Sequence, residues 1–181
     1  MTRFGYVMVT SFAMLTAGGL AFVHPAPWFI WNATASAPTG LYALHPVHHL
    51  RVGELVAVRP PEQIAHYLAN GGYLPEGVLL LKPVMALPGN TVCRLGGTIS
   101  INQVAVGTAK TRDHLGRPLP HWNGCRKLRP GDVFLMNPAV ADSLDGRYFG
   151  PMPVTAIIAR AIPLWTDDAG DGRFIWHAKP H

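Results

Sequence analysis

Hydrophobic positions along the chain fall into two regimes. From Phe4 to Val23 (FGYVMVTSFAMLTAGGLAFV) there are twenty residues without a charge. As a helix rising about 1.5 Å per residue, such a segment matches the ~30 Å hydrocarbon core of a bilayer. Beyond it the apolar residues come in short runs separated by turn residues, which is the pattern of strands. Leu41–Leu44, Glu54–Val58, Val78–Met85, Thr91–Arg94, Val133–Met136 and Val154–Ile162 read this way. Thr98–Ile101 and Val104–Val106 flank Asn102-Gln103 and read as a hairpin. Pro60–Asn70 departs from the pattern: Ile64, Tyr67 and Leu68 stand at helical spacing, and Gly71-Gly72 ends the segment. Lys110–Arg126 is polar and reads as a loop, and Thr166–His181 as an acidic tail with an apolar Phe174-Ile175-Trp176 patch. The expectation is a mainly β domain over residues 24–165, behind a short N-terminus (1–3) and one hydrophobic helix (4–23), with a tail at 166–181.

His24-Pro25-Ala26-Pro27 stops any helix. Trp28, Phe29 and Trp31 follow, side chains suited to the headgroup layer. Arg3 and the amino terminus carry positive charge ahead of the segment, whereas no Lys or Arg follows it until Arg51. That asymmetry places the N-terminus in the cytoplasm and the domain outside. The segment is either an uncleaved signal anchor, which its full length favours, or a signal peptide cut after Ala21, with small residues at Gly19 and Ala21. Both readings export the domain.

Composition changes this picture little. Hydrophobic residues make up 49% of the 181 residues and charged ones 14%, with much of the apolar excess ahead of Asn32. The rest of the chain is enough for one core. The net charge of +5 is scattered, without a basic run or basic helix face, so no nucleic-acid partner is expected. Cys93 and Cys125 lie in the exported part, where a disulfide is favoured; two free buried thiols are the alternative. His45-x-x-His48-His49 has only Glu54 as a nearby carboxylate, so neither a metal nor another cofactor is expected.

Candidate chemistry centres on Ser36, set before the Pro38-x-Gly40 turn in Asn32–Tyr42. A serine hydroxyl is a weak nucleophile at neutral pH and needs a base within hydrogen-bond reach. Among the histidines, His45, His48, His49 and His66 fall in loops or on a helix face rather than at an apolar strand end. Lys82, after Gly77-Val78-Leu79-Leu80-Leu81, is different. An ammonium beside such a run is disfavoured, so the neutral amine becomes available as a general base. The competing reading is a lysine that ends a strand and reaches back to water.

Four segments in order resemble the conserved boxes of the bacterial signal peptidase I superfamily, and more closely those of its conjugative-transfer branch, the TraF-type peptidases. They are the Ser-x-Pro-x-Gly-x-Tyr stretch Ser36–Tyr42, the strand-leading box Leu50–Val56, the lysine box Leu81–Asn90, and Pro130–Asn137 leading to Ser143–Pro151. The similarity runs from the hydrophobic segment to about Trp165. It implies a signal-peptidase-like β catalytic domain in which Ser36 is the nucleophile and Lys82 the general base. The Ser36 N–H and the Thr34 hydroxyl would face the oxyanion, and Ser143 would orient the lysine amine. Asp145 and Arg147 match a pair that shapes the site, with Asp145 counted among the catalytic residues. Pro83 stands where the family usually has a basic residue, and Gly146 where it has a serine.

The function implied is a membrane-tethered Ser-Lys endopeptidase that matures a pilin or other exported subunit of a conjugative transfer or type IV secretion system. Cyclisation of the pilin is a further outcome in that branch. The expected partners are a membrane-inserted prepilin, the inner membrane and other transfer components. The alternatives are a non-catalytic structural subunit of the transfer complex and, more remotely, a cytosolic self-cleaving repressor with the same dyad.

Overall fold

The structure, a computed structural model, describes residues 3–22, 27–34 and 36–176. The apolar N-terminal segment forms helix α1 (Arg3–Phe22), whose described apolar side chains, Phe4, Val7, Phe12 and Leu15 among them, are exposed. Its threonines bond within the helix: the Thr10 hydroxyl donates to the Tyr6 carbonyl, and Thr16 to that of Phe12. The helix expected over residues 4–23 is therefore present. Among the described residues, however, no helix is long and apolar enough to cross a membrane. Threonines, a serine and the Gly18-Gly19 pair dilute the segment, and Val23 lies outside the described residues.

Among the described residues twelve strands follow, of which eight build the larger sheet. They begin with β1 (Phe29–Asn32), β2 (Thr39–His45) and β3 (Leu55–Val58), then β4 (Leu80–Ala86) after helix α2 (Glu62–Asn70). Next come β5 (Thr91–Leu95), β6 (Thr98–Ile101), β7 (Val104–Thr108), β8 (Gly124–Lys127) and β9 (Asp132–Leu135). The short helix α3 (Gly146–Phe149), β10 (Met152–Pro153), β11 (Ile157–Asp167) and β12 (Ile175–Trp176) complete the chain. The larger sheet has the order β1-β2-β11-β3-β4-β9-β10, with β12 on β11, and the smaller is β7-β6-β5-β8. The long strand β11 holds the larger sheet together by pairing with β2, β3 and β12, its register shifting between Ile157 and Ala159 and between Pro163 and Trp165. A proline is admissible at such an irregularity because no ladder bond is lost there.

Strand β9 joins the two halves of the core. Val133 and Leu135 pack with Val56, Val58, Leu68 and Val84, whereas Phe134 and Met136 pack with Val92, Ile99, Trp122 and Tyr148. Alternate residues of one strand thus serve opposite faces. A third cluster of Tyr42, Leu44, Ala57, Leu81, Ala159 and Ala161 lies under the loop that carries Ser36.

The mainly β character matches the sequence pattern, and three segments depart from it. Phe29–Asn32, read above only as headgroup aromatics, is a strand paired with β2 in the register Asn32↔Gly40. The polar stretch read as a loop to Arg126 contains the edge strand β8, largely exposed and so without an apolar signature. Cys93 and Cys125 face each other in the β5–β8 register and are joined by a disulfide, their Cα atoms 4.0 Å apart. The boundary drawn at 165 falls inside β11, and the tail folds back on that strand through β12. There the Phe174 ring lies 4.8 Å from that of Trp165 and 5.8 Å from that of Trp31.

Candidate active site

Residues 33–38 connect β1 to β2 and carry Ser36. The motif around it has physical causes. Gly40 has φ +145°, and a Cβ there would stand 2.2 Å from the Trp165 carbonyl oxygen, so only glycine lets β2 lie against β11 at this point. The buried Tyr42 hydroxyl donates to the Pro38 carbonyl (2.7 Å), tying the loop to the strand that follows it. Burial raises the phenol's pKa, so it remains a neutral donor. Inside the loop, the Asn32 amide nitrogen reaches the carbonyls of Thr34, Ala37 and Pro38, and its oxygen accepts from the Thr34 N–H and hydroxyl.

That last bond fixes the protons. A threonine hydroxyl has one proton, and Thr34 commits it to the Asn32 carbonyl oxygen at 2.8 Å. Of the two hydroxyls 3.1 Å apart, Ser36 must therefore be the donor and Thr34 the acceptor. Expected as an oxyanion donor, Thr34 in this resting arrangement instead receives the Ser36 proton.

Lys82 lies in β4, opposite Val56 on the neighbouring strand. Pro83 confines the backbone of the lysine before it to the extended region, which fixes the direction of the side chain. The residue is 3% exposed, and its Nζ donates to Ser143 Oγ at 2.7 Å. Burial lowers its pKa to about 8; the Asp145 carboxylate opposes that shift and Arg147 adds to it. An amine so placed is substantially neutral in mildly alkaline water, whereas an ordinary lysine is not.

Ser143 belongs to a loop, residues 137–147, organised by one buried ion pair. Arg147 Nη2 lies 2.9 Å from Asp145 Oδ2, with both side chains buried. The guanidinium also donates to the carbonyls of Asn137, Val140, Ala141 and Ser143, and the Asp145 carboxylate accepts from the N–H groups of Asn137 and Arg147. Gly146 fits where a larger residue would not: a Cβ would come within 2.6 Å of the Leu135 carbonyl oxygen and the Phe134 ring. The departure from serine at this position therefore belongs to the packing of α3 on β9.

Thr34, Ser36, Lys82 and Ser143 all line one cleft of about 280 Å³. Its walls are largely apolar, with Leu68 and Leu74 from the α2 region, Leu80, Leu119 and Leu144. One rim is braced by Asp113, which accepts from the Tyr73 hydroxyl (2.5 Å) and from Arg117 Nε (2.6 Å). Partial burial opposes its charge, but these bonds hold the carboxyl well below the usual carboxylate range. Asp145 and Arg147 do not line the cleft. Grouped above with the catalytic residues, Asp145 is placed behind Ser143, its oxygens engaged by Arg147 and the backbone, so it acts on the lysine through position and charge. The disulfide lies in the other sheet. Two residues that matter to the geometry, Asn32 and Asn137, had no assigned role in the sequence reading, since asparagines beside loops are common turn formers. Among the described residues no group of His, Cys, Asp and Glu is placed to hold a metal.

Ser36 and the buried Lys82 thus line one cleft of a mainly β domain. The family model for signal peptidase, peptidase S26, matches residues 1–165, and the chain belongs to that family. Within it the chain is of the TraF type. It is 34% identical over 147 residues to a conjugal transfer protein TraF of Agrobacterium fabrum, covering 76% of this chain and 82% of the relative. It is 30% identical over 177 residues to a probable conjugal transfer protein TraF of Sinorhizobium fredii, covering 91% and 92%. A plasmid transfer protein TraF of Escherichia coli is 30% identical over 174 residues, covering 89% and 94%. Among solved structures, a signal peptidase I of Enterococcus faecalis aligns with 64% of this chain and 98% of its own, at 18% identity and a TM-score of 0.38.

Proposed function

We propose that this chain is a serine endopeptidase of conjugative transfer, with Ser36 as nucleophile and Lys82 as general base. The observation that carries the reading is Lys82: a buried amine with its pKa lowered to about 8, facing the same cleft as Ser36. In the reaction, the Ser36 hydroxyl turns from Thr34 toward Lys82, whose neutral amine takes its proton as Oγ attacks the scissile carbonyl carbon. The Ser36 N–H faces the developing oxyanion. Once released from Asn32, the Thr34 hydroxyl can join it. Lys82 then returns the proton to the departing amine, leaving an acyl-enzyme on Ser36. Water, activated by the same lysine, frees the enzyme; attack by a substrate amine instead would join the two ends of the substrate. Ser143 holds the amine in line throughout.

The substrate in this reading is a pilin or other exported subunit of the transfer apparatus, presented from the inner membrane. The TraF relatives are named for conjugal and plasmid transfer, which supports that setting. Helix α1 tethers the domain, and the exposed Trp28, Phe29 and Trp31 beyond it sit at the headgroup layer. The domain then faces the periplasm, where the Cys93–Cys125 disulfide persists. Ser36→Ala and Lys82→Ala are each expected to abolish processing of the co-transferred pilin in donor cells while the protein accumulates folded. Normal processing by Ser36→Ala would overturn the reading. Unimpaired transfer in the same strain would favour a structural subunit that keeps a peptidase fold.

A further inference from the structure

The two halves of the dyad come from strands that are not neighbours. Ser36 lies in the loop ahead of β2, and Lys82 lies in β4, with β11 and β3 between these strands in the sheet. Strand pairing alone does not register one against the other to the fraction of an ångström that proton transfer requires. Hydrogen bonds within the serine loop all close on its own neighbourhood, from Asn32 to Tyr42. A side-chain hydrogen bond does reach that loop from far along the chain: Asn137 Nδ2 donates to the Ser36 carbonyl at 2.7 Å.

Asn137 is itself tightly placed. Its side-chain oxygen accepts from the Ala139 N–H at 3.0 Å, which sets the orientation of the amide and leaves the nitrogen facing Ser36. Its backbone N–H donates to Asp145 and its carbonyl accepts from Arg147. Asn137 thus opens the same clamped loop that ends near Ser143, the residue holding Lys82. One loop grips the base through Ser143 and the nucleophile's peptide through Asn137.

We propose that Asn137 is a positioning residue that sets the Ser36 peptide against the Lys82 amine. The Arg147–Asp145 pair then acts on both halves of the dyad through a single rigid segment. This rests on the reading of Ser36 and Lys82 as nucleophile and base, and the test separates the two claims.

The full-length protein in detergent is treated with p-nitrophenyl acetate, a generic acyl donor, and the acetyl group on Ser36 is followed by intact mass and peptide mapping. In that step the Ser36 Oγ–acyl bond forms, the ester bond breaks, p-nitrophenolate leaves and the hydroxyl proton passes to Lys82. In the wild type the rate should rise with pH through a midpoint near 8 and level off about one unit above it, where the lysine is neutral. Asn137→Ala should lower the plateau by roughly 10- to 100-fold, the scale of a misplaced reacting group. The pH midpoint should stay where it is, because Ser143 still holds the lysine. Asn137→Asp, which sets a carboxylate against the Ser36 carbonyl, should fall further. No labelling of wild-type Ser36 would sink the dyad reading. Labelling of wild type and Asn137→Ala at plateau rates within twofold would sink the positioning role alone. A lower plateau accompanied by a shifted midpoint would also overturn it, because the loop as a whole would then have moved.

Discussion

The loop that carries Ser36 and the loop that steadies Lys82 are built from different forces. Thr34, Ser36 and Pro38 are partly exposed, and their loop is held by the neutral amide of Asn32, with bonds typically contributing about 0.5–1.5 kcal/mol each. Residues 137–147 are held by a buried ion pair whose guanidinium satisfies a ring of carbonyls, the stronger charge-assisted type of bond. The difference follows from the tasks. A lysine works as a base only while its amine is kept dry and aligned, so its surroundings must not give. In the proposed mechanism the serine hydroxyl must leave Thr34 and turn to the lysine as substrate arrives, so its loop needs shape without rigidity.

Breaking the rigid loop should have the largest effect. Arg147→Met would strand the Asp145 carboxylate in the interior, at a cost of about 3–5 kcal/mol for a buried pair that loses one partner. Chemical denaturation should show that loss directly. A midpoint equal to wild type would mean that the loop is held by something other than the ion pair. A smaller effect is expected from the softer loop. Asn32→Ala leaves the Ala37 carbonyl and the Thr34 N–H without their partner, at about 1–3 kcal/mol for unsatisfied buried groups. That variant should melt slightly earlier and acylate Ser36 more slowly, while the pH midpoint of acylation stays near that of wild type. A shifted midpoint would show that the softer loop also sets the surroundings of the Lys82 amine and would blur the comparison.

Sequence and structure agree most closely where one local pattern determines one local element. The Ile64, Tyr67 and Leu68 spacing marks α2, and the Asn102-Gln103 pair adopts positive φ (49° and 71°) between β6 and β7. Ser36, Lys82 and Ser143 were legible through the motifs around them, and the structure brings all three to one cleft. The reason for Gly40 was not legible, because the atom that excludes a side chain there belongs to Trp165, far along the chain. Strand β8 was hidden because an exposed edge strand carries no alternation, and β1 because a short run of aromatic and aliphatic residues, Phe29–Trp31, looks the same in a membrane interface as in a sheet. Asn137 was hidden for a different reason. Its importance is a hydrogen bond to a residue a hundred positions earlier, and nothing in its own neighbourhood signals that.

The central claim is that Lys82 is a base because it is buried. The direct measurement is its titration in the full-length protein, followed by the Cε resonance of isotopically labelled lysine and assigned by comparison with Lys82→Met. A folded-state pKa below the ordinary lysine value also fixes a sign for stability. Between about pH 8 and about 10.5 the unfolded chain holds the extra proton, so folding should strengthen as pH rises through that window. A Lys82 midpoint near 8 is the expected result. A midpoint near the ordinary value of about 10.4 would leave Ser36 without a base and contradict it.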